Sequence, residues 1–62
     1  MAHIASKDLI DGELYFIDAE FNNGGIVKLI WHGLHFCEVE DPDTGHTWDT
    51  MTYRLSEIQQ NT

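Results

Sequence analysis

The chain has 62 residues, of which 42% are hydrophobic and 11% aromatic, and eleven acidic side chains against three basic ones give a formal net charge of −8. This length allows one small domain, and a composition this apolar and aromatic excludes a disordered acidic tail. One cysteine excludes an intramolecular disulfide framework, and no apolar run approaches the ~18–20 residues of a membrane span.

The first eleven residues are expected to form an irregular lead-in, with one helical turn over residues 6–11 as the alternative. Leu9 and Ile10 are the apolar side chains of this segment that can plug a core. No basic segment followed by an apolar core occurs here, so a secretory signal is not expected and a cytoplasmic location is predicted.

Four or five short β-strands are predicted between residues 12 and 58, because β-prone stretches alternate with glycine-containing turns. The strands are expected at residues 13–19, 26–31, 34–40, 46–51 and 55–58, with turns at 22–25 and 41–45, a single 3-10 turn at 52–54 and a frayed tail at 59–62. The turn at 41–45 is the strongest local signal, since it combines proline, two aspartates and a closing glycine. A helix over residues 50–58 is the alternative, which three threonines and a tyrosine disfavour.

The strands are expected to close into a small all-β barrel. An open sheet of this size exposes one apolar face and two edges, and closure hides both. The expected core is Leu14, Phe16, Val27, Leu29, Phe36, Val39, Trp48, Leu55 and Ile58. A two-residue turn at His32 and Gly33 would pair Trp31 with Leu34, but both strand faces are partly apolar, so a bulge that switches faces is an equal alternative.

Several short motifs resemble those of small SH3-like barrels of the Tudor and KOW type. These are a glycine-led strand at residues 25–30, a strand at 36–39 followed by the acidic turn at 41–45, and a closing segment at 53–58. The resemblance covers about residues 12–58 of a single 62-residue domain and implies a small barrel of four to five short antiparallel strands with a single 3-10 turn near the C-terminus.

The acidic excess favours a basic protein surface as the partner, because a strong field of one sign steers association. Direct nucleic-acid or membrane binding is not expected, since only three scattered bases are present. The expected partner-binding residues are Glu38, Glu40, Asp41, Asp43 and Asp49, with Trp31 as an anchor. In size and charge the chain is similar to small acidic inhibitors encoded by phages, so the most specific hypothesis is inhibition or modulation of a nucleic-acid-handling enzyme by charge mimicry.

Two other binding functions remain open. The apolar character of both faces of residues 26–39 suits a structural module that self-associates through a strand edge or an apolar face, so the oligomeric state is left open. The resemblance to Tudor domains implies a reader of methylated lysine or arginine, whose aromatic cage would draw on Trp31, Phe36, Trp48 and Tyr53, with Asp49 or Glu38.

Catalysis, metals and cofactors are not expected. Cys37, His35 and Asp49 can be written as a nucleophile, base and orienting acid, but nothing in their spacing requires them to meet. His32, His35, Cys37 and His46 lack the paired spacing of a structural zinc site. The turn at 41–45 lacks the closing glutamate of a calcium loop, because Thr52 occupies the twelfth position. A barrel this small also lacks a cleft that excludes water around a substrate.

Overall fold

The computed structural model describes residues 4–18 and 25–58. These ranges contain five β-strands and two 3-10 turns. The strands are β1 (Leu14–Ile17), β2 (Gly25–His32), β3 (Phe36–Glu40), β4 (Thr47–Met51) and β5 (Leu55–Ser56), and the 3-10 turns are Ser6–Asp8 and Thr52–Arg54. The turn predicted at 22–25 and the tail predicted at 59–62 lie largely or wholly outside the described residues.

All five strands form one antiparallel sheet in the order β4-β3-β2-β1-β5. The predicted all-β class is therefore confirmed, but the expected closure is not formed, because the sheet is open with β4 and β5 as its edges. Strand β5 has two residues, both paired with β1, and is too short to bridge to β4 as well. The single 3-10 turn expected near the C-terminus is confirmed at Thr52–Arg54. A second 3-10 turn at Ser6–Asp8 lies in the segment for which one helical turn was the alternative.

The core lies on one face of the sheet, where alternate side chains of β1 to β4 are buried, and both residues of β5 are buried as well. It consists of Leu9, Tyr15, Ile17, Val27, Leu29, Cys37, Val39, Trp48 and Leu55, with Ile4 packed against it. Five residues of the expected core are confirmed: Val27, Leu29, Val39, Trp48 and Leu55. Of the expected N-terminal plug, Leu9 is buried and Ile10 is exposed.

Strand β1 has the opposite phase to the one expected. Tyr15 and Ile17 point into the core, whereas Leu14 is exposed and Phe16 only partly buried. One reason lies in the tyrosine hydroxyl, which accepts a 2.9 Å hydrogen bond from the Ile10 backbone N–H. This bond lets Tyr15 enter the core with its polar atom satisfied, as a buried phenol requires.

Phe36 is also outside the core. The turn between β2 and β3 is longer than the expected two residues. His32 pairs with Cys37, and the Gly33 N–H donates to the Phe36 carbonyl at 2.7 Å. The pairing of Trp31 with Leu34 is therefore wrong. Cys37 enters the core and Phe36 lies on the outer face because an additional residue in β2 shifts the ladder, so that Leu29 pairs with Val39.

The alternative of a bulge in β2 is confirmed. Leu29 pairs with Val39, but Trp31 pairs with Glu38, so Ile30 is an additional residue in the ladder. Two residues of β2 thus oppose one residue of β3, which bends a strand and increases its twist. As a result Ile30 and Trp31 are both exposed, although they are consecutive.

The 3-10 turn after β4 is anchored to the turn between β2 and β3. Thr52 is buried, its N–H donates to the His35 carbonyl at 2.9 Å, and its hydroxyl donates to the Leu34 carbonyl at 3.3 Å. Strand and 3-10 turn occupy residues 47–56, so the helical alternative for the C-terminus is wrong.

Candidate protein-docking surface

The face of the sheet opposite the core carries most of the expected binding residues. In β3, Glu38 and Glu40 alternate with the buried Cys37 and Val39, so both glutamates lie on this outer face. In β4, Asp49 is exposed between the buried Trp48 and Thr50. Three carboxylates from neighbouring strands therefore share one surface.

Cross-strand register arranges these residues in two rows. One row contains Trp31, Glu38 and Asp49, because Glu38 pairs with both of the others. The next row contains Lys28, Glu40 and Thr47. Glu40 therefore has a lysine as a strand partner, whereas Glu38 has a tryptophan on one side and a second carboxylate on the other.

Asp41 and Asp43 belong to the turn that joins β3 to β4. The Asp41 side chain accepts a 2.9 Å hydrogen bond from the Asp43 backbone N–H, and the Asp41 backbone N–H donates to the His46 carbonyl at 2.8 Å. These bonds close the hairpin, with Gly45 at a φ of +79°. Asp41 thus has a structural role, while the Asp43 side chain is exposed.

The Trp31 side chain is 54% exposed, although its indole ring has a defined neighbour. A Cβ added to Gly33 would lie 3.3 Å from Cη2 of the indole, which is tighter than an ordinary van der Waals contact. The absence of a side chain at Gly33 therefore makes room for the ring. One part of the indole lies against the chain, and the rest is open to a partner.

Two apolar residues extend the row at the end nearer this turn. Phe36 is 60% exposed, lies two positions before Glu38 on the same face of β3 and pairs with Met51 of β4. We call the group of Trp31, Phe36, Glu38, Asp49 and Met51 the aromatic–acidic patch. Phe36 is among both the expected core residues and the expected cage residues, and the sequence does not single out Met51. The shared parity of residues 36 and 38 indicates that Phe36 lies on the face of Glu38.

The aromatic side chains proposed for a cage are divided between the two faces of the sheet. Trp48 lies in the core, with its ring stacked on His46 at a centroid distance of 5.5 Å. Trp31 and Phe36 lie on the outer face, and Tyr53 is exposed in the 3-10 turn. The four residues do not enclose one volume.

The residues considered for metal binding and catalysis are likewise dispersed. Nδ1 of His32 lies 2.6 Å from Oδ1 of Asp11, which joins the end of β2 to the turn before β1. Cys37 is buried, whereas His35 and Asp49 are exposed. Within residues 4–18 and 25–58, no three histidine, cysteine or acidic side chains are grouped as metal ligands.

Comparisons with protein-family models, with curated proteins and with solved structures found no match. In the part of the chain that the structure describes, no helix is long and apolar enough to cross a membrane.

Proposed function

We propose that this chain is a non-enzymatic docking domain of the SH3-like class that binds a basic surface of another protein. The contact surface is the outer face of the β3–β4 hairpin, with Glu38, Glu40 and Asp49 as the charged residues and Trp31 as the anchor. The observation that carries this proposal is the register that places Glu38 directly between Trp31 and Asp49. Interfaces are commonly anchored by an aromatic residue beside charged groups of complementary sign.

The distribution of charge supports the same surface. Five of the eleven acidic residues lie within residues 38–49, and the only basic residue of the two rows is Lys28. Such a concentration of one sign raises the rate of encounter with a basic partner and disfavours acidic ones. It also repels nucleic acid directly, so a protein is the partner that fits.

In its most specific form, the proposal is that the chain inhibits or modulates a nucleic-acid-handling enzyme. The carboxylates of the hairpin would occupy the basic groove in which that enzyme holds phosphates. The support is the sign and density of the charge, with Asp43 and Asp49 exposed and Glu38, Glu40 and Asp41 partly exposed. Competition with duplex DNA for a purified basic DNA-binding protein tests this form.

The general proposal is tested with two variants that lose the same charge. The hairpin variant carries Glu38→Gln, Glu40→Gln and Asp49→Asn, and the control variant carries Asp8→Asn, Asp18→Asn and Glu57→Gln. Asp41 is left unchanged because its side chain closes the turn. The probe is a synthetic arginine- and lysine-rich peptide, titrated by isothermal calorimetry at about 0.05 M and about 0.5 M NaCl.

The hairpin variant is expected to bind the probe roughly tenfold more weakly at low salt, since three surface charge contacts of about 0.5 kcal/mol each amount to about 1.5 kcal/mol. The control variant should retain most of the affinity, and high salt should remove most of the difference between the two. Equal losses in both variants would mean that net charge, and not this surface, determines binding.

A second candidate function is self-association. Leu14, Ile26 and Phe36 are exposed on the outer face, and a patch of this kind can pack against another copy. The charge of −8 on each copy opposes this contact. Sedimentation equilibrium at micromolar concentration separates the two candidates, because a monomer at high salt rules out assembly through this face.

A further inference from the structure

We infer that the aromatic–acidic patch binds an unmethylated arginine side chain of the partner, in preference to lysine. This inference rests on the proposed function and specifies which basic residue the docking surface receives. Charge and shape complementarity make an arginine side chain the occupant of this exposed sheet face.

The patch offers a flat aromatic surface that is already positioned. The indole of Trp31 lies against Gly33, where a Cβ would approach Cη2 to 3.3 Å, yet 54% of the residue stays exposed. An aromatic side chain held in place loses little conformational entropy when a cation stacks on it. Tryptophan is also the aromatic residue that attracts cations most strongly.

The same row supplies two carboxylates that lack a basic strand partner. Glu38 pairs with Trp31 and Asp49, and Asp49 pairs with Glu38 alone because β4 is an edge of the sheet. Glu40, in the neighbouring row, faces Lys28. Directly opposite side chains have Cβ atoms about 4.5–5.5 Å apart, so one incoming cation can interact with both carboxylates.

Arginine fits these two features together, whereas lysine fits only one of them. A guanidinium is planar and weakly hydrated, so it can stack on an indole while its N–H groups donate to a carboxylate at its edge. A lysine ammonium is compact and strongly hydrated and forms no planar stack. Methylation of the guanidinium removes donors that Glu38 and Asp49 would accept from, so the unmodified side chain is the preferred ligand.

The apolar residues at one end of the patch indicate which partner residue lies beside the arginine. Phe36 and Met51 are strand partners at the end nearer the turn, and Phe36 is 60% exposed. A partner segment that places an apolar residue beside its arginine buries both side chains at once. The proposed occupant is therefore an arginine next to an apolar residue on the surface of another protein.

The test is a chemical-shift titration of the full chain with Nα-acetyl-arginine amide, Nα-acetyl-lysine amide and the dimethylated arginine amide. The arginine probe is expected to move the indole N–H signal of Trp31 and the amide signals of Glu38 and Asp49. It should bind about two- to fivefold more tightly than the lysine probe, which is the ratio that a cation–π contact at an exposed site provides. The dimethylated probe should bind more weakly than the unmodified one.

Two variants assign the preference to the patch. Trp31→Leu keeps the charge and should make the affinities for the arginine and lysine probes equal. Glu38→Gln should weaken the binding of both probes. The control Glu57→Gln, next to the opposite edge strand β5, should change the binding of neither probe. Equal binding of the two probes to the unaltered chain overturns the inference and needs no variant. If the probes bind equally while the arginine- and lysine-rich peptide still binds through the hairpin, only this inference fails; if the peptide does not bind, the proposed function fails as well.

Discussion

Glu38 of β3 and Asp49 of β4 lie directly opposite each other on the outer face of the sheet. Like charges in this relationship destabilise a β-sheet, whereas opposite charges stabilise it. The hairpin therefore contains an unfavourable pair at the centre of the surface that we propose as the binding site. A cation from a partner would relieve this repulsion.

Neutralising one member of the pair should stabilise the free protein. Asp49→Asn is expected to raise the free energy of unfolding by about 0.2–1 kcal/mol at low salt, and the gain should shrink at high salt because the repulsion is screened. Urea denaturation at two salt concentrations measures both effects. Glu57→Gln is the control for the loss of one negative charge, and an Asp49→Asn variant that is less stable than the original chain at low salt would contradict the prediction.

The difference in burial between two leucines predicts different effects of their substitution on stability. Leu29 is fully buried and pairs with Val39, whereas Leu34 is exposed in the turn between β2 and β3. Leu29→Ala should lower the free energy of unfolding by about 2–5 kcal/mol, because it removes buried methyl groups and leaves a cavity. Leu34→Ala should change it by less than about 0.5 kcal/mol. Chemical denaturation compares them, and similar losses in both variants would be inconsistent with the burial described.

Substituting Tyr15 and Tyr53 separately measures the contribution of one hydrogen bond, that of the Tyr15 hydroxyl, to stability. The Tyr15 hydroxyl accepts from the Ile10 N–H at 2.9 Å, while Tyr53 is exposed. Tyr15→Phe should cost about 0.5–1.5 kcal/mol, the usual net contribution of an intramolecular hydrogen bond. Tyr53→Phe should cost nothing measurable. Amide hydrogen exchange provides a local check, since Ile10 should lose protection in the first variant and keep it in the second.

Two glycines are expected to respond to alanine for different reasons. Gly12 has a φ of +92°, so Gly12→Ala should cost about 1–2 kcal/mol through backbone strain, although a Cβ there would meet nothing. Gly33 has no such φ, but its Cβ would contact the Trp31 indole. Gly33→Ala should therefore alter the fluorescence of Trp31 and the chemical shift of its indole N–H. Unchanged indole signals in Gly33→Ala would show that the ring does not lie against this position.

The sequence predicts the buried face of a strand only where polar and apolar residues alternate along it. Trp48 is expected in the core and is buried there; its neighbours Thr47 and Asp49 are polar, so the alternation of β4 allows only one phase. Residues 14–17 are all apolar, so alternation says nothing about which of them enter the core. The observed phase places the Tyr15 hydroxyl on the Ile10 backbone N–H, a contact that the alternation of apolar residues does not indicate.

The candidate surface could be predicted only in part for a similar reason. Equal parity places Glu38 and Glu40 on one face of a strand, and the structure has them there. Their neighbours depend on the register with β2 and β4. That register is set by the length of the turn after His32 and by the hairpin bond from Asp41 to His46. The juxtaposition of Trp31, Glu38 and Asp49 therefore became visible only with the fold.

Ile30, the additional residue in β2, enlarges the exposed apolar surface without changing the pairing of its neighbours. Ile30 lies between Leu29 and Trp31 and has no partner residue in β3. A chain without Ile30 would therefore still pair Leu29 with Val39 and Trp31 with Glu38. The insertion thus adds a second bulky hydrocarbon beside the indole while every other pairing keeps its place. Shortening the strand by this one residue is a way to trim the contact area without disturbing the interior beneath it.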